Sequence, residues 1–441
     1  MQVAGGNVLG SSFVHTLAFL EPGHFHATLT LREAHPELSP DVFVYATPGP
    51  ELDDFLALVE RFNRRRERPT PWRPRVRISA EPLAGLLAER PGDLVVLAGR
   101  NGGKARLIRQ LHEAGLHVLA DKPWLVRPDD LADIRESLTG WPIVREMMTG
   151  RRDTIARLVK RLVDDAELFG GFAAARAEVP AIEQESVHHF EKRVDGAPLR
   201  RPWWFFDPRV QGSGAVDIPT HLVDQAQWLL DGTVGAPGVA PRLLAARGWS
   251  TALPVEIFTR VTGADTVPPE LGGAGRDGTL RVFCNAELTY RLHGVTARAA
   301  TRWEVSSPPG GGDTTRIVLR GRSAEIRVEQ GPDTQFRRRV VVEARGDAAR
   351  TARALTNALT AASAELPGVQ ARPLQPALHE ITIPPGLDPG HEAHFAQLLD
   401  ELLGWIDAHH WPAALAMRTL AKYTLLAEAA AVTARDAAAS H

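Results

Sequence analysis

Two short segments, far apart in the chain, carry the side chains best suited to moving a proton. Ala120-Asp121-Lys122-Pro123-Trp124 closes a strand pattern, and Gly212-Ser213-Gly214-Ala215-Val216-Asp217-Ile218-Pro219-Thr220-His221 opens a helix. A lysine at the ligand-facing edge of a sheet stabilises developing alkoxide charge or relays a proton, the more readily where desolvation lowers its pKa. The plainer reading of Lys122 is a surface lysine paired with Asp121. Asp217 and His221 stand four apart on one helix face. Pro219 suits a first helical turn, which puts Asp217 near the N-cap. Singly, Asp217 is a cap and His221 a part-buried imidazole satisfied by a carbonyl. Together they suggest more. The positive end of the helix favours a neutral, base-competent histidine, and Asp217 holds its tautomer. Gly212 and Gly214 let the preceding backbone pass close to a ligand.

Between the two segments lie Glu185-Ser186-Val187-His188-His189-Phe190-Glu191-Lys192 and Arg201-Pro202-Trp203-Trp204-Phe205-Phe206-Asp207. His188, His189, Lys192, Trp203 and Trp204 suit a sugar-sized pocket, where rings stack on C–H faces and imidazoles bond hydroxyls. The competing reading is an aromatic hinge buried between domains. A metal site built from His188, His189 and His221 lacks the tight ligand spacing of H-E-x-x-H, so no metal is expected there.

Positioning these groups falls to two kinds of architecture. Short apolar runs at Thr16–Leu20, Val42–Ala46, Val76–Ser79, Asp93–Ala98, His117–Ala120 and Pro142–Arg145 alternate with amphipathic segments such as Phe55–Asn63, Pro82–Glu89, Ala105–Ala114 and Pro128–Leu138. That alternation predicts a Rossmann-like, doubly wound parallel sheet over about 13–150. The basic, Pro-rich stretch Arg64–Arg75 is expected to be a surface insertion. From 151 to about 385 the pattern predicts an α+β domain with a mainly antiparallel open sheet. Its expected elements are a helix over Asp153–Val163, a strand at Phe172–Ala177, a long polar and aromatic loop to Gly214, a helix over Ile218–Leu230, and strands at Leu280–Cys284, Ala286–Leu292, Ala299–Val305, Thr315–Leu319, Ala324–Glu329 and Arg339–Glu343. A helical C-terminal segment, 386–441, packs on the rest.

A doubly wound sheet binds ligands beyond the carboxyl ends of its strands. The first such loop, Glu21-Pro22-Gly23-His24-Phe25-His26, retains one glycine of the G-x-G-x-x-G pattern that lets backbone approach a pyrophosphate. After the second strand the chain reads Thr47-Pro48-Gly49-Pro50, without the acid that would hold a ribose, while Glu51 and Asp53 suit the next helix dipole. The glycine-rich loop Gly99-Arg100-Asn101-Gly102-Gly103-Lys104 could approach a nicotinamide ribose. Pro22, Gly23, His24, Phe25, Thr47, Arg100, Asn101, Asp121 and Lys122 are therefore the candidate contacts for NAD or NADP. The alternative is a Rossmann-like domain that has lost its cofactor.

The 441 residues are too many for one ordinary core, and the composition, with 44% hydrophobic and 24% charged residues, is that of a globular protein. A formal net charge of -2 gives no reason to expect nucleic acid or an anionic membrane as partner. The Arg64-Arg65-Arg66 run is a solvated loop face. One cysteine, Cys284, excludes an internal disulfide and fits a reducing compartment. Neither a signal peptide at Met1–Ser12 nor an apolar run of membrane-spanning length is seen, so a cytoplasmic location is expected.

The strand ending in Lys122-Pro123 and the run Gly212, Gly214, Asp217, His221, continued by Asp224 and Trp228, resemble the Gfo/Idh/MocA oxidoreductase family. The likeness spans roughly Thr16 to Val342 and is specific in those two motifs. It implies an NAD(P)-dependent enzyme that oxidises or reduces a secondary hydroxyl of a sugar, glycoside or cyclitol. His221 would be the acid/base, Lys122 would stabilise charge, and Asp217 would complete the catalytic group. It also implies a homo-oligomer, dimer or tetramer, built on the open face of the second sheet. Asp121 stands where the family has Glu. Two other functions fit the same motifs. One is transient oxidation that enables epimerisation or elimination, and the other is a non-catalytic regulator binding dinucleotide or sugar.

Overall fold

The computed structural model describes residues 15–174, 178–194, 197–231 and 239–439. Its first sheet holds β1 (Leu17–Leu20), β2 (Asp41–Ala46), β3 (Arg73–Ile78), β4 (Leu94–Leu97), β5 (His117–Ala120) and β6 (Val144–Glu146). All pairs are parallel, in the order β3-β2-β1-β4-β5-β6. The linking helices are α1 (His26–Leu29), α2 (Pro50–Arg64), α3 (Pro82–Glu89), α4 (Lys104–Glu113) and α5 (Asp130–Ser137). β1, β4 and β5 are buried at every residue, as continuous apolar strands covered on both faces must be. Strand order reverses between β1 and β4, which opens a crevice at their carboxyl ends.

The Arg64–Arg75 segment is less of an excursion than its composition suggests. β3 begins within it, at Arg73, and Trp72 is buried with its Nε1 donating to Leu31 O at 2.6 Å. Asn63 Oδ1 accepts from Thr70 Oγ1 (2.8 Å) and from the Trp72 amide (3.1 Å), pinning the turn.

The second half contains α6 (Thr154–Asp164), β7 (Ile182–Glu191), the short pair β8 (Arg193–Val194) and β9 (Ala197–Pro198), α7 (Pro219–Leu230), β10 (Arg242–Pro254), α8 (Val255–Thr262), β11 (Thr279–Leu292), β12 (Val295–Ser306), β13 (Thr314–Arg320), β14 (Ala324–Gln330), β15 (Arg339–Ala344), α9 (Ala348–Ala362), β16 (Gln370–Gln375) and β17 (Leu378–Thr382). Nine of these strands form one sheet, β10-β11-β12-β7-β13-β14-β15-β17-β16, antiparallel except between β12 and β7.

Here the structure corrects the sequence reading. β7, in the middle of the sheet, occupies what reads as a polar loop. Its Glu183 accepts from Arg298, Arg316 and Arg320, and its Glu185 from Arg302 (2.8 Å). An ion-pair ladder covers this face, so the strand lacks the apolar alternation that advertises one. The ladder continues through Arg327 with Glu325 and Arg339 with Glu329. Of the strand expected at Phe172–Ala177, Phe172 makes only an isolated bridge to Gly321, and residues 175–177 lie outside the described residues. Part of the expected Val234–Pro241 break, and Met1–Ser12, lie outside them too.

Two further helices, α10 (Ala393–Asp407) and α11 (Ala413–Ala439), complete the described chain. Phe395, Leu398, Leu399 and Leu402 of α10 join Leu17, Phe19 and Val96 in the core of the parallel sheet. Tyr423, Leu425 and Leu426 of α11 join Val223 and Leu229 of α7 in the largest core. Among the described residues no helix is long and apolar enough to cross a membrane.

Candidate active site

The crevice between β1 and β4 holds a cavity of about 300 Å³, walled by Glu21, Pro22, Gly23, Thr47, Glu51, Arg100 and Lys104 among others. Glu21 reaches across the strand ends, its carboxylate accepting from the Thr47 amide and hydroxyl at 3.2 Å. Glu51 accepts from Arg100 Nη2 (3.1 Å) and Trp204 Nε1 (2.9 Å). Burial would raise the Glu51 pKa, but the bonds from Trp204 and Arg100 hold it low, so it is ionised. Glu51 thus faces the cavity rather than merely complementing a helix dipole. Of the residues expected to hold a dinucleotide, Pro22, Gly23, Thr47 and Arg100 line this cavity. Phe25 is half exposed and outside it, and His24, Asn101, Asp121 and Lys122 lie beside it.

The two sheets meet over the ends of β4 and β5. The Asn101 and Gly102 amides donate to Val210 O (3.1 and 3.0 Å), and Asn101 Nδ2 donates to Gln211 O (2.8 Å). Just past this seam, Lys122 Nζ donates to Asp217 Oδ1 at 2.7 Å. Both side chains are about nine-tenths buried. The Lys122–Asp217 pair unites the two motifs across the interface. Burial alone would lower the lysine, yet Asp217 and Asp121 raise its pKa and keep it an ammonium. Burial would raise Asp217, and Lys122 brings it below the ordinary carboxylate value. His221 is pushed down to about 3, first by burial and then by the Lys122 charge, so it is neutral.

Two expectations about this corner change. Ile218, not Asp217, is the N-cap of α7, and Asp217 gives its carboxylate to Lys122. Gly214 makes its close approach to the protein itself, since a Cβ there would sit 2.4 Å from the Cys284 carbonyl carbon. Gly212, at φ 103°, is a position that favours glycine.

Several groups went unsingled in the sequence. Lys104, fully buried as the first residue of α4, donates to Asn101 Oδ1 (2.5 Å) and Asp121 O (3.0 Å), and burial pushes its pKa down to about 8. A lysine at the positive end of a helix is unfavourable on its own, and that oddity was the available signal. Beneath the site, Lys422 and Tyr423 of α11 both bond Glu146 of β6, and the Tyr423 hydroxyl accepts from the Trp124 amide (2.9 Å). Arg151 grips Asp224 through two bonds of 2.9 and 2.8 Å, and Lys422 lies 3.7 Å from the same aspartate. These partners are remote in sequence, and nothing local announces them.

The candidate sugar-pocket residues divide. His188, His189 and Lys192 gather on Asp313, with His188 Nδ1 at 3.1 Å, His189 Nδ1 at 3.3 Å and Lys192 bonded to the same carboxylate. They do not line the narrow cavity beside Asp217, whose walls include Phe190, Phe205, Gly212, Cys284 and Trp303. Trp203 packs against the apolar cluster of Phe190, Phe206 and Phe258, and Trp204 reaches the crevice at β1 and β4 through its bond to Glu51.

Residues 158–434 match the family model described as "Putative oxidoreductase C terminal domain". The chain belongs to this oxidoreductase family. A crystal structure of an oxidoreductase family protein from Parabacteroides merdae is 34% identical, with a TM-score of 0.91, over 97% of this chain and 99% of that one. Two more distant structures share the fold. Levoglucosan dehydrogenase, in complex with NADH and levoglucosan, is 14% identical with a TM-score of 0.59, over 95% of this chain and 97% of the other. GenD2 from gentamicin A biosynthesis, in complex with NAD, is 13% identical with a TM-score of 0.57, over 100% and 98%. No curated protein matches the chain.

Proposed function

We propose that this oxidoreductase is a nicotinamide-dependent enzyme of the Gfo/Idh/MocA type that interconverts a secondary hydroxyl and a ketone on a sugar, glycoside or cyclitol. The observation that carries the reading is the Lys122–Asp217 pair, 2.7 Å long and joining the segment after β5 to the segment before α7, beside a neutral His221. The pair lies at the carboxyl edge of a sheet with the dinucleotide-binding strand order.

The crevice lies where a doubly wound sheet takes a dinucleotide, at the reversal of strand order between β1 and β4. Its acids, Glu21 and Glu51, suit ribose hydroxyls and would repel a 2′-phosphate, which favours NAD over NADP. The first loop departs from the usual cradle, because the Gly23 and His24 amides both donate to Ala98 O (3.0 and 2.9 Å). Arg100, at the rim, is then the cation for the pyrophosphate. When bound, the nicotinamide supplies the hydride acceptor or donor.

The chain's own groups handle the proton and the charge. In the oxidising direction His221, neutral at physiological pH, takes the hydroxyl proton, and in reduction it returns it. Lys122, held charged by Asp217 and Asp121, stabilises the alkoxide that develops meanwhile. Phe205 and Trp303 wall the narrow cavity beside Asp217, their rings packed against Arg201, Phe190 and His188, so they give this side an apolar wall. The sugar and NADH in the levoglucosan dehydrogenase complex support this substrate class.

Calorimetric titration with NAD⁺, NADH, NADP⁺ and NADPH tests the reading, followed by a panel of sugars and cyclitols scanned for NADH formation. NAD(H) should bind about 10-fold or more tightly than NADP(H), since like charges juxtaposed in this way cost about 1.4 kcal/mol or more. Failure of all four to bind overturns the proposal.

A further inference from the structure

The loop after β1 has exchanged glycines for histidines, and the histidines converge on a carboxylate. His26 Nδ1 lies 3.0 Å from each Asp121 oxygen, and His24 Nδ1 lies 3.2 Å from Asp121 Oδ2. The three residues each present one ligand atom, all within 4.8 Å of one another. Asp121 is 3% exposed. His24 Nδ1 is itself buried, and it has no aligned hydrogen-bond partner. Such a gap between an imidazole nitrogen and a carboxylate oxygen is closed either by a proton on the nitrogen or by a cation bound to both atoms.

We propose that His24, His26 and Asp121 form a binding site for one divalent transition-metal ion of the zinc class. The donor set, two imidazoles and a carboxylate, is the one such borderline ions take. With metal–ligand bonds of about 2.1 Å, neighbouring donors stand about 3.0 Å apart in octahedral and about 3.4 Å apart in tetrahedral geometry. The two imidazole–carboxylate separations, 3.0 and 3.2 Å, fall at these values, and all three donor atoms lie within 4.8 Å of one another. The ring of His26 is braced by Phe395 of α10 at 4.6 Å between centroids, and Asp121 Oδ1 also accepts from the Lys122 amide (2.9 Å). Such surrounding contacts fix ligand orientation. His24, about a third exposed, leaves an approach from solvent. None of the three residues walls the 300 Å³ crevice, so the ion and a dinucleotide need not compete. The ion would tie the first loop of the parallel sheet to the end of β5, a junction that a glycine-rich loop makes by close backbone packing instead.

The test uses untagged full-length protein, stripped with EDTA and dialysed. Co²⁺ is titrated in and followed by its visible absorption, then displaced with Zn²⁺, and the bound metal is counted by elemental analysis. The expected result is one equivalent retained by the wild type, with affinity at least 10-fold weaker in His24→Ala and in Asp121→Asn. His24→Ala alters a part-exposed side chain, and its circular dichroism verifies folding should Asp121→Asn fail to fold. No retained metal in the wild type, or unchanged binding in His24→Ala, overturns the proposal and leaves a hydrogen-bonded His–Asp–His group. Dinucleotide binding is measured separately, so this outcome does not bear on the proposed redox reaction.

Discussion

Asp217 and Asp313 each collect a lysine, but from different distances in the chain. Asp217 takes Lys122 from the segment after β5, at the carboxyl edge of the parallel sheet. Asp313 takes Lys192, His188 and the His189 amide, and all of them come from β7 or the residue just after it. Both carboxylates are held below their ordinary pKa. Burial works against this in each case, overcome by Lys122 at Asp217 and by His188 and Lys192 at Asp313. Residue type and charge state therefore do not separate the two clusters. What separates them is assembly. One is made where the segment after β5 meets the segment before α7, almost a hundred residues later, and the other ties the end of a strand to the neighbouring turn.

The sharpest way to break the comparison is to disarm both clusters. His221→Ala and Lys122→Ala should each lower kcat by about 10³-fold, within the range that general acid–base groups contribute, with circular dichroism unchanged. His188→Gln and Lys192→Met should leave kcat within about twofold. Equal losses in the two sets would place Asp313 in the site as well.

Stability should show the reverse. Asp313→Asn leaves Lys192 and two imidazoles without their anion, and urea unfolding should register a loss of about 2 kcal/mol, somewhat below the cost of breaking a fully buried pair. His221→Ala should change stability less than that. A neutral urea result for Asp313→Asn would show that its ring of donors is solvated well enough to do without it.

Acid gives a subtler contrast. His221 is held at about 3, by burial and then by Lys122 and Lys422, with Asp217 and Asp121 opposing. His117 is held at about 4, by burial, with Asp93 opposing and His15 and His409 assisting. Their folded pKa values lie below the unfolded one, so the unfolded chain binds more protons as pH falls through the window from about 6.5 to 4. Folding free energy should decline across that window, and less steeply in His221→Ala. His15 acts oppositely: burial lowers its pKa, but Asp93 and Asp407 raise it further. Its contribution is complete below pH 6.5 and fades as pH rises through its folded value. The smallest expected effect is on activity, since a neutral His221 keeps kcat/KM from falling on its account between pH 7 and 5. A wild-type loss of activity with a midpoint near 6.5 that is traced to His221 would contradict its burial.

The same contrast explains what could be read from the chain alone. Lys122, Asp217 and His221 were legible because each lies in a local pattern, a strand end or a helix start, that survives without its partners. The parallel sheet was legible for the same reason, from buried runs such as Leu94–Leu97. β7 was not, because Glu183 and Glu185 owe their place in a strand to arginines on β12 and β13. His188 and His189 consequently passed for loop residues lining a sugar pocket. Glu21 was missed as a crevice acid because it reaches the end of β2 from β1, a relation visible only once the strands are side by side.

Chain order gives the Lys422–Glu146–Tyr423 cluster a meaning in time. Both sheets and α7 precede α11 in sequence, so every strand of the crevice and each of Lys122, Asp217 and His221 can be in place, and Asp224 paired with Arg151, while Glu146 still lacks its buried cation. A nascent or clipped chain ending before Lys422 would carry the Glu146 carboxylate unneutralised under a half-built floor, the kind of incompletely folded species that is triaged by proteases and chaperones. Seating the last long helix is then the step, late in chain order, that closes the charge balance beneath the site.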